Sequence, residues 1–258
     1  MAVPVKGLGP AFQVFLATSV FRRRSQEWTI RCIQSSLLNA RLKVPAMIVI
    51  RHRQTEAPLI EREGKDICSV KLDGAQLAEA DFRGMDLTNV DLRNSNLKFA
   101  DFEGANLTNA ILLASCLDHA NFAGAIMDKA DLTDASCKGA IFDRVKAVGC
   151  VARYTKFGEA SFIEADFSKS DISMAQFQYA NLGEATFNRC DLRGADLRHA
   201  NLTGAKFCGA NLTHAAMADA TLNRTHFDDA IGSAGHHLDG HGHCRKKPKK
   251  AWWEIWRR

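Results

Sequence analysis

The sequence predicts an all-β solenoid of four-sided coils, on three observations: a period of five residues, one large apolar residue at a fixed place in each period, and no proline inside the repeating stretch. A short unit that cannot bury its own apolar face must stack on its neighbours, so such a period decides the architecture before local propensity does. Copies read Ala80-Asp81-Phe82-Arg83-Gly84, Ala100-Asp101-Phe102-Glu103-Gly104 and Ala195-Asp196-Leu197-Arg198-His199. From Val70 to Asp229 the period runs for 160 residues, or 32 copies, and every first position falls on a residue number divisible by five.

Third positions are Leu 15 times, Phe 11 times, Met twice and Ile once. These side chains must point away from water. First positions are Ala in 21 of 32 copies and face a place with little room. Second, fourth and fifth positions are mostly Asp, Asn, Thr, Arg, Lys and Gly, which belong outside. Neither the 3.6 period of a helix nor the period of 2 of an ordinary strand gives this pattern. A five-residue side needs a turn at its end, and four such sides close a 20-residue coil. Glycine at fifth positions such as Gly74, Gly84 and Gly104 suits a corner that demands positive φ. The five prolines (Pro4, Pro10, Pro45, Pro58 and Pro248) all lie outside the repeat, as expected where each backbone N–H is needed by the next coil.

Unbroken copies of Ala-(Asp/Asn)-Leu-x-x resemble the pentapeptide-repeat family over about 62% of the chain. That resemblance implies a right-handed quadrilateral parallel β-helix, of about eight coils for 32 copies. Sorting third positions by 20 predicts columns of Phe82, Phe102, Phe122, Phe142 and Phe162, of Phe167, Phe187, Phe207 and Phe227, and of Leu72, Leu92, Leu112 and Leu132.

Five segments follow. Residues 1–46 read as a targeting segment or a spurious extension, with Met47 as the competing start; 47–64 as an N-terminal cap strand or hairpin; 65–229 as the β-helix; 230–250 as a Gly/His-rich and basic linker; 251–258 as a Trp-rich cap or contact segment. Residues 65–229 carry 17 Lys and Arg against 23 Asp and Glu, while the two flanks are basic. No apolar run is long enough to cross a membrane as a helix. The eight cysteines form no C-x-x-C pair and read as free thiols of a reducing cytoplasm, or of an organelle if residues 1–46 are a transit segment.

Common hydrolase, zincin and nucleotide-binding signatures are absent, so no catalytic residue, no cofactor and no enzyme activity are expected. His236, His237, His241, His243 and Cys244 are weak metal candidates, because His-rich tracts chelate transition metals without fixing a geometry. Ile111, Leu113, Ile126, Ile141, Val148 and Val151 replace polar residues and read as one apolar patch, over an interior underfilled at Ala147 and Ala152. That patch is expected to mark either a kink or a contact site. Trp252, Trp253 and Trp256 follow a basic run and are expected to cover the last coil or join two chains as a homodimer; a membrane surface is a less favoured partner. The leading expectation is a scaffold for an unknown protein partner. One alternative is a DNA mimic like the topoisomerase-protecting members of the family. The thin negative charge argues against that mimicry, as the acidic body argues against binding nucleic acid. A further alternative is a membrane- or organelle-associated structural protein.

Overall fold

The computed structural model describes residues 47–232, apart from 65, 68 and 69. The chain divides into two compact units, Met1–Val44 and Pro45–Arg258, of which the first lies outside the described residues. The repeat of the second unit is a right-handed β-helix whose parallel bridges join residues 20 apart, from Gln76↔Asn96 to Asn211↔Ile231. The four sides are named here for their first bridged residues: the Gln76, Asp81, Asp86 and Asp91 faces.

Each repeat position has its own backbone role. The third-position N–H donates up to the second-position carbonyl of the next coil (Leu77 N to Asn96 O, 2.8 Å), and the second-position N–H donates down to the first-position carbonyl (Asn96 N to Ala75 O, 2.9 Å). The fifth-position N–H donates up as well (Glu79 N to Lys98 O, 2.8 Å). The fourth-position N–H gets no backbone partner from this ladder. Its acceptor is the second-position side chain, as where Asp86 Oδ1 accepts from Thr88 N (3.1 Å) and Asn106 Oδ1 from Thr108 N (3.2 Å). The preference for Asp and Asn at second positions is therefore an Asx turn that satisfies an otherwise orphaned donor.

Where the second position lacks a carboxylate or amide, the coil below can supply one. Lys138 N donates to Asp118 Oδ1, Val148 N to Asp128 Oδ1, Ile163 N to Asp143 Oδ1 and Cys208 N to Asn188 Oδ1.

Every fifth position from Gly74 to Asp229 has positive φ, glycine or not. The corner is thus a left-handed residue by construction, and glycine is only the cheapest of its occupants.

Inside, the predicted columns stand. Ring centroids from Phe82 to Phe162 are 4.7 to 4.9 Å apart in near-parallel stacks, and Phe167, Phe187, Phe207 and Phe227 stack at 5.3 to 5.8 Å. The interior beside Ala147 and Ala152 is repacked, where underfilling was expected: Phe157 meets Phe142 edge-on at 5.6 Å, and Phe167 meets Phe142 at 6.2 Å. Of the two alternatives, a kink is not seen, since the ladder runs unbroken through Lys146, Val151 and Ser161. Small polar residues at first positions are absorbed by carbonyls one coil down, as where Ser95 Oγ donates to Leu72 O and Thr155 Oγ1 to Leu132 O.

At the N-terminal end, strand β1 (Met47–His52) pairs antiparallel with β2 (Pro58–Glu63) and, on its other edge, with β3 (Ala80–Asp81). Ile50 is fully buried against the core. At the other end, the amides of Met217, Asp219, Leu222, Arg224 and Asp229 have no acceptor among the described residues.

Candidate interaction surface

The six apolar residues singled out in the sequence do not form one patch. Second and fourth positions a multiple of 20 apart share a face, so Ile111, Leu113 and Val151 lie on the Asp91 face, Ile126 and Val148 on the Asp86 face, and Ile141 on the Asp81 face. Asp131 sits between Ile111 and Val151 in their bridged column. Of the six, Ile126 and Ile141 are the exposed ones. The weak metal candidates His236, His237, His241, His243 and Cys244, and the contact candidates Trp252, Trp253 and Trp256, lie outside the described residues. Among the described residues no group of His, Cys, Asp and Glu could hold a metal ion.

A different cluster forms instead. Tyr154 (52% exposed) and Met174 (49%) stand one coil apart on the corner between the Asp91 and Gln76 faces. Tyr179 (64%) stands on the corner between the Gln76 and Asp81 faces, with Ile163 (39%) and Ile141 (40%) beyond it. The sequence signal was available at the fifth positions, which mostly hold Gly, Asn or a charged residue and here hold Tyr, Met and Tyr. Weight given to second positions hid it. All three corner residues have φ near 60°. The Tyr179 ring lies flat on His199, with centroids 4.8 Å apart. The Met174 side chain lies across Gly194, where a Cβ would collide with its sulfur.

Several charged residues are neutralised locally. Arg83 donates to both oxygens of Asp81 and reaches Asp101 at 3.8 Å, so these stacked carboxylates share a cation. The Arg83 hydrogen bonds hold Asp81 below the ordinary carboxylate value, outweighing its partial burial. At Asp191 and Asp196 partial burial pushes upward, but hydrogen bonds from Arg193 and Arg198 outweigh it and the net shift is downward. Cys137, Cys150 and Cys190 are buried free thiols; desolvation pushes Cys150 and Cys190 up to about 12, which leaves them almost wholly protonated and inert.

A sequence profile of pentapeptide repeats in eight copies matches residues 71–112, 116–146, 148–182 and 175–213, just over half of the chain. The chain belongs to the pentapeptide-repeat family. Its fold is similar to that of HetL, a pentapeptide-repeat protein involved in heterocyst differentiation regulation in the cyanobacterium Nostoc sp. strain PCC 7120. The two are 24% identical over 64% of this chain and 86% of HetL, with a TM-score of 0.52. It is also similar to full-length QnrB1, a plasmid-mediated fluoroquinolone resistance protein: 21% identity, 58% of this chain, 80% of QnrB1 and a TM-score of 0.52. At these identities the likeness is one of fold. No curated protein sequence matches the chain.

Proposed function

We propose that this pentapeptide-repeat chain is a non-catalytic scaffold for protein–protein interaction, and that its contact surface spans the Gln76 and Asp81 faces between residues 141 and 179. The observation that supports this is the placing of Tyr154, Met174 and Tyr179 at left-handed corners. A bulky residue there costs on the order of 1–3 kcal/mol that glycine avoids. These side chains stay about half exposed or more, so burial within the chain does not offset the strain. A partner that covers them does.

A DNA-mimic role fits less well, because Asp81, Asp91, Asp191 and Asp196 each give their charge to an arginine two residues on. Free cysteines among the described residues fit a reducing compartment such as the cytoplasm.

The test is the Tyr154→Gly/Tyr179→Gly double variant, with a photo-cross-linking residue at Gln176. The variant is expected to melt at the same temperature as the parent or higher, and to lose the parent's cross-linked partner. Retention of the same cross-link would place the contact elsewhere, and a variant that fails to fold would refute the strain argument.

A further inference from the structure

The Gln76 face between the two corner ridges lacks part of the repeat's own chemistry. Its second positions at the level of Tyr154 and Met174 are Lys156 and Gln176, so neither Asx turn can form. The coil below does not compensate, since the fourth positions there are Lys138 and Gly158. In consequence the backbone N–H groups of Gly158 and Gln178 have no acceptor among the described residues, whereas on the same face Asp196 Oδ1 accepts from Arg198 N at 3.2 Å. Lys138 and Lys156 have no ion-pair partner among the described residues either. Gly158 contributes no side chain to the floor of the strip between Tyr154 and Tyr179.

We propose that this strip binds an extended acidic segment of a partner protein, whose Asp or Glu side chains supply the carboxylates that the repeat omits here. One carboxylate accepts from the Gly158 N–H, with Lys156 and Lys138 balancing the charge, and the next accepts from Gln178 one coil up. Flanking apolar side chains of the segment lie on Met174 and on the Tyr154 and Tyr179 rings. Recognition is by side chains and these amides, because the second- and third-position amides of the face already donate to neighbouring coils and leave no free strand edge for strand addition. Two unpaired cations on a body with more acidic than basic residues suit an acidic peptide better than a nucleic acid strand. The proposal rests on the scaffold reading and adds the chemistry of the partner.

The probe is a short fluorescein-labelled peptide alternating Asp with Leu or Phe, set beside its Asn counterpart and oligothymidylate, with the full-length chain. The Asp peptide is expected to bind at least about tenfold tighter than the Asn peptide and to shift the amide resonances of Gly158 and Gln178. Lys156→Asp restores the usual repeat residue, so it is expected to keep or raise the melting temperature while abolishing binding. Unchanged binding by Lys156→Asp, preference for oligothymidylate, or no binding by either peptide would each overturn the proposal. If the peptides fail while Tyr154→Gly/Tyr179→Gly still loses its cross-linked partner, the scaffold reading survives and only the acidic segment is wrong.

Discussion

The first coil and the last present the same problem to the chain and meet it differently. At the first coil, β1 lies across the edge antiparallel to β3, Arg53 N donates to Glu79 O, Arg53 Nη1 donates to Phe99 O, and Ile50 is sealed against the core. At the last coil, Ile231 begins another turn over Asn211, but Leu222 and Phe227 stay only partly buried and several amides lack an acceptor among the described residues. A solenoid supports each coil through its neighbours, so its ends must be closed by something outside the period. An end of this kind left open would be a template for pairing with other chains.

The comparison breaks most visibly at the two ends. Ile50→Asp buries an unpaired charge and is expected to lower stability by about 3–5 kcal/mol in urea denaturation, while Leu222→Asp costs no more than about half as much. Equal losses would mean that the last coil is as well sealed as the first. Phe122→Ala, in the middle of a ring column, is expected to cost about 3–5 kcal/mol by cavity formation and sets the scale for an interior defect. Removal of residues 245–258 is expected to lower the melting temperature or change the mass in light scattering if the Trp segment serves the last coil, by about 1–2 kcal/mol. A truncated chain unchanged in both would leave the last coil without need of that cover.

Acid sharpens the comparison further. Asp81 near the first coil and Asp196 near the last both have folded pKa values below the ordinary carboxylate value. Their contribution is therefore complete above the unfolded pKa of about 3.9 and is lost as pH falls through the folded value. Arg83→Met should lower stability at neutral pH and converge on the parent as pH falls through the lowered folded value of Asp81, once its carboxylate is protonated in both. A constant offset at all pH values would assign Arg83 a packing role. The smallest effect belongs to Thr133, whose hydroxyl is buried without a hydrogen-bond partner among the described residues, although the repeat places it on the outer surface. Thr133→Val is expected to be neutral or to stabilise by up to about 1 kcal/mol in thermal melts.

Much of the β-helix was legible because the period is strict: third positions alone predicted the columns of Phe82 and Phe167, and both are present. The corners were half legible. Glycine at Gly74 and Gly84 announced positive φ, but that Tyr154 and Met174 adopt it too is forced by closure of the coil and not by their own preference. The contact surface was least legible. Ile111 and Ile126 are near in sequence but on different faces, whereas Tyr154 and Tyr179 are far apart in sequence yet flank one face. One coil of 20 plus one side of five sets them at the two edges of that face, and a reading along the chain does not show it.

The carboxylates that cap fourth-position amides from the coil below carry a consequence for how such sequences vary. Asp118 serves the repeat of Ser136, Asp128 that of Lys146, Asp143 that of Ser161 and Asn188 that of Lys206. In each pair the acid or amide stands 18 residues ahead of a second position that has lost its own. Among relatives of this chain, substitutions should accordingly be correlated at a spacing of 18, a distance that neither the repeat of five nor the coil of 20 would generate.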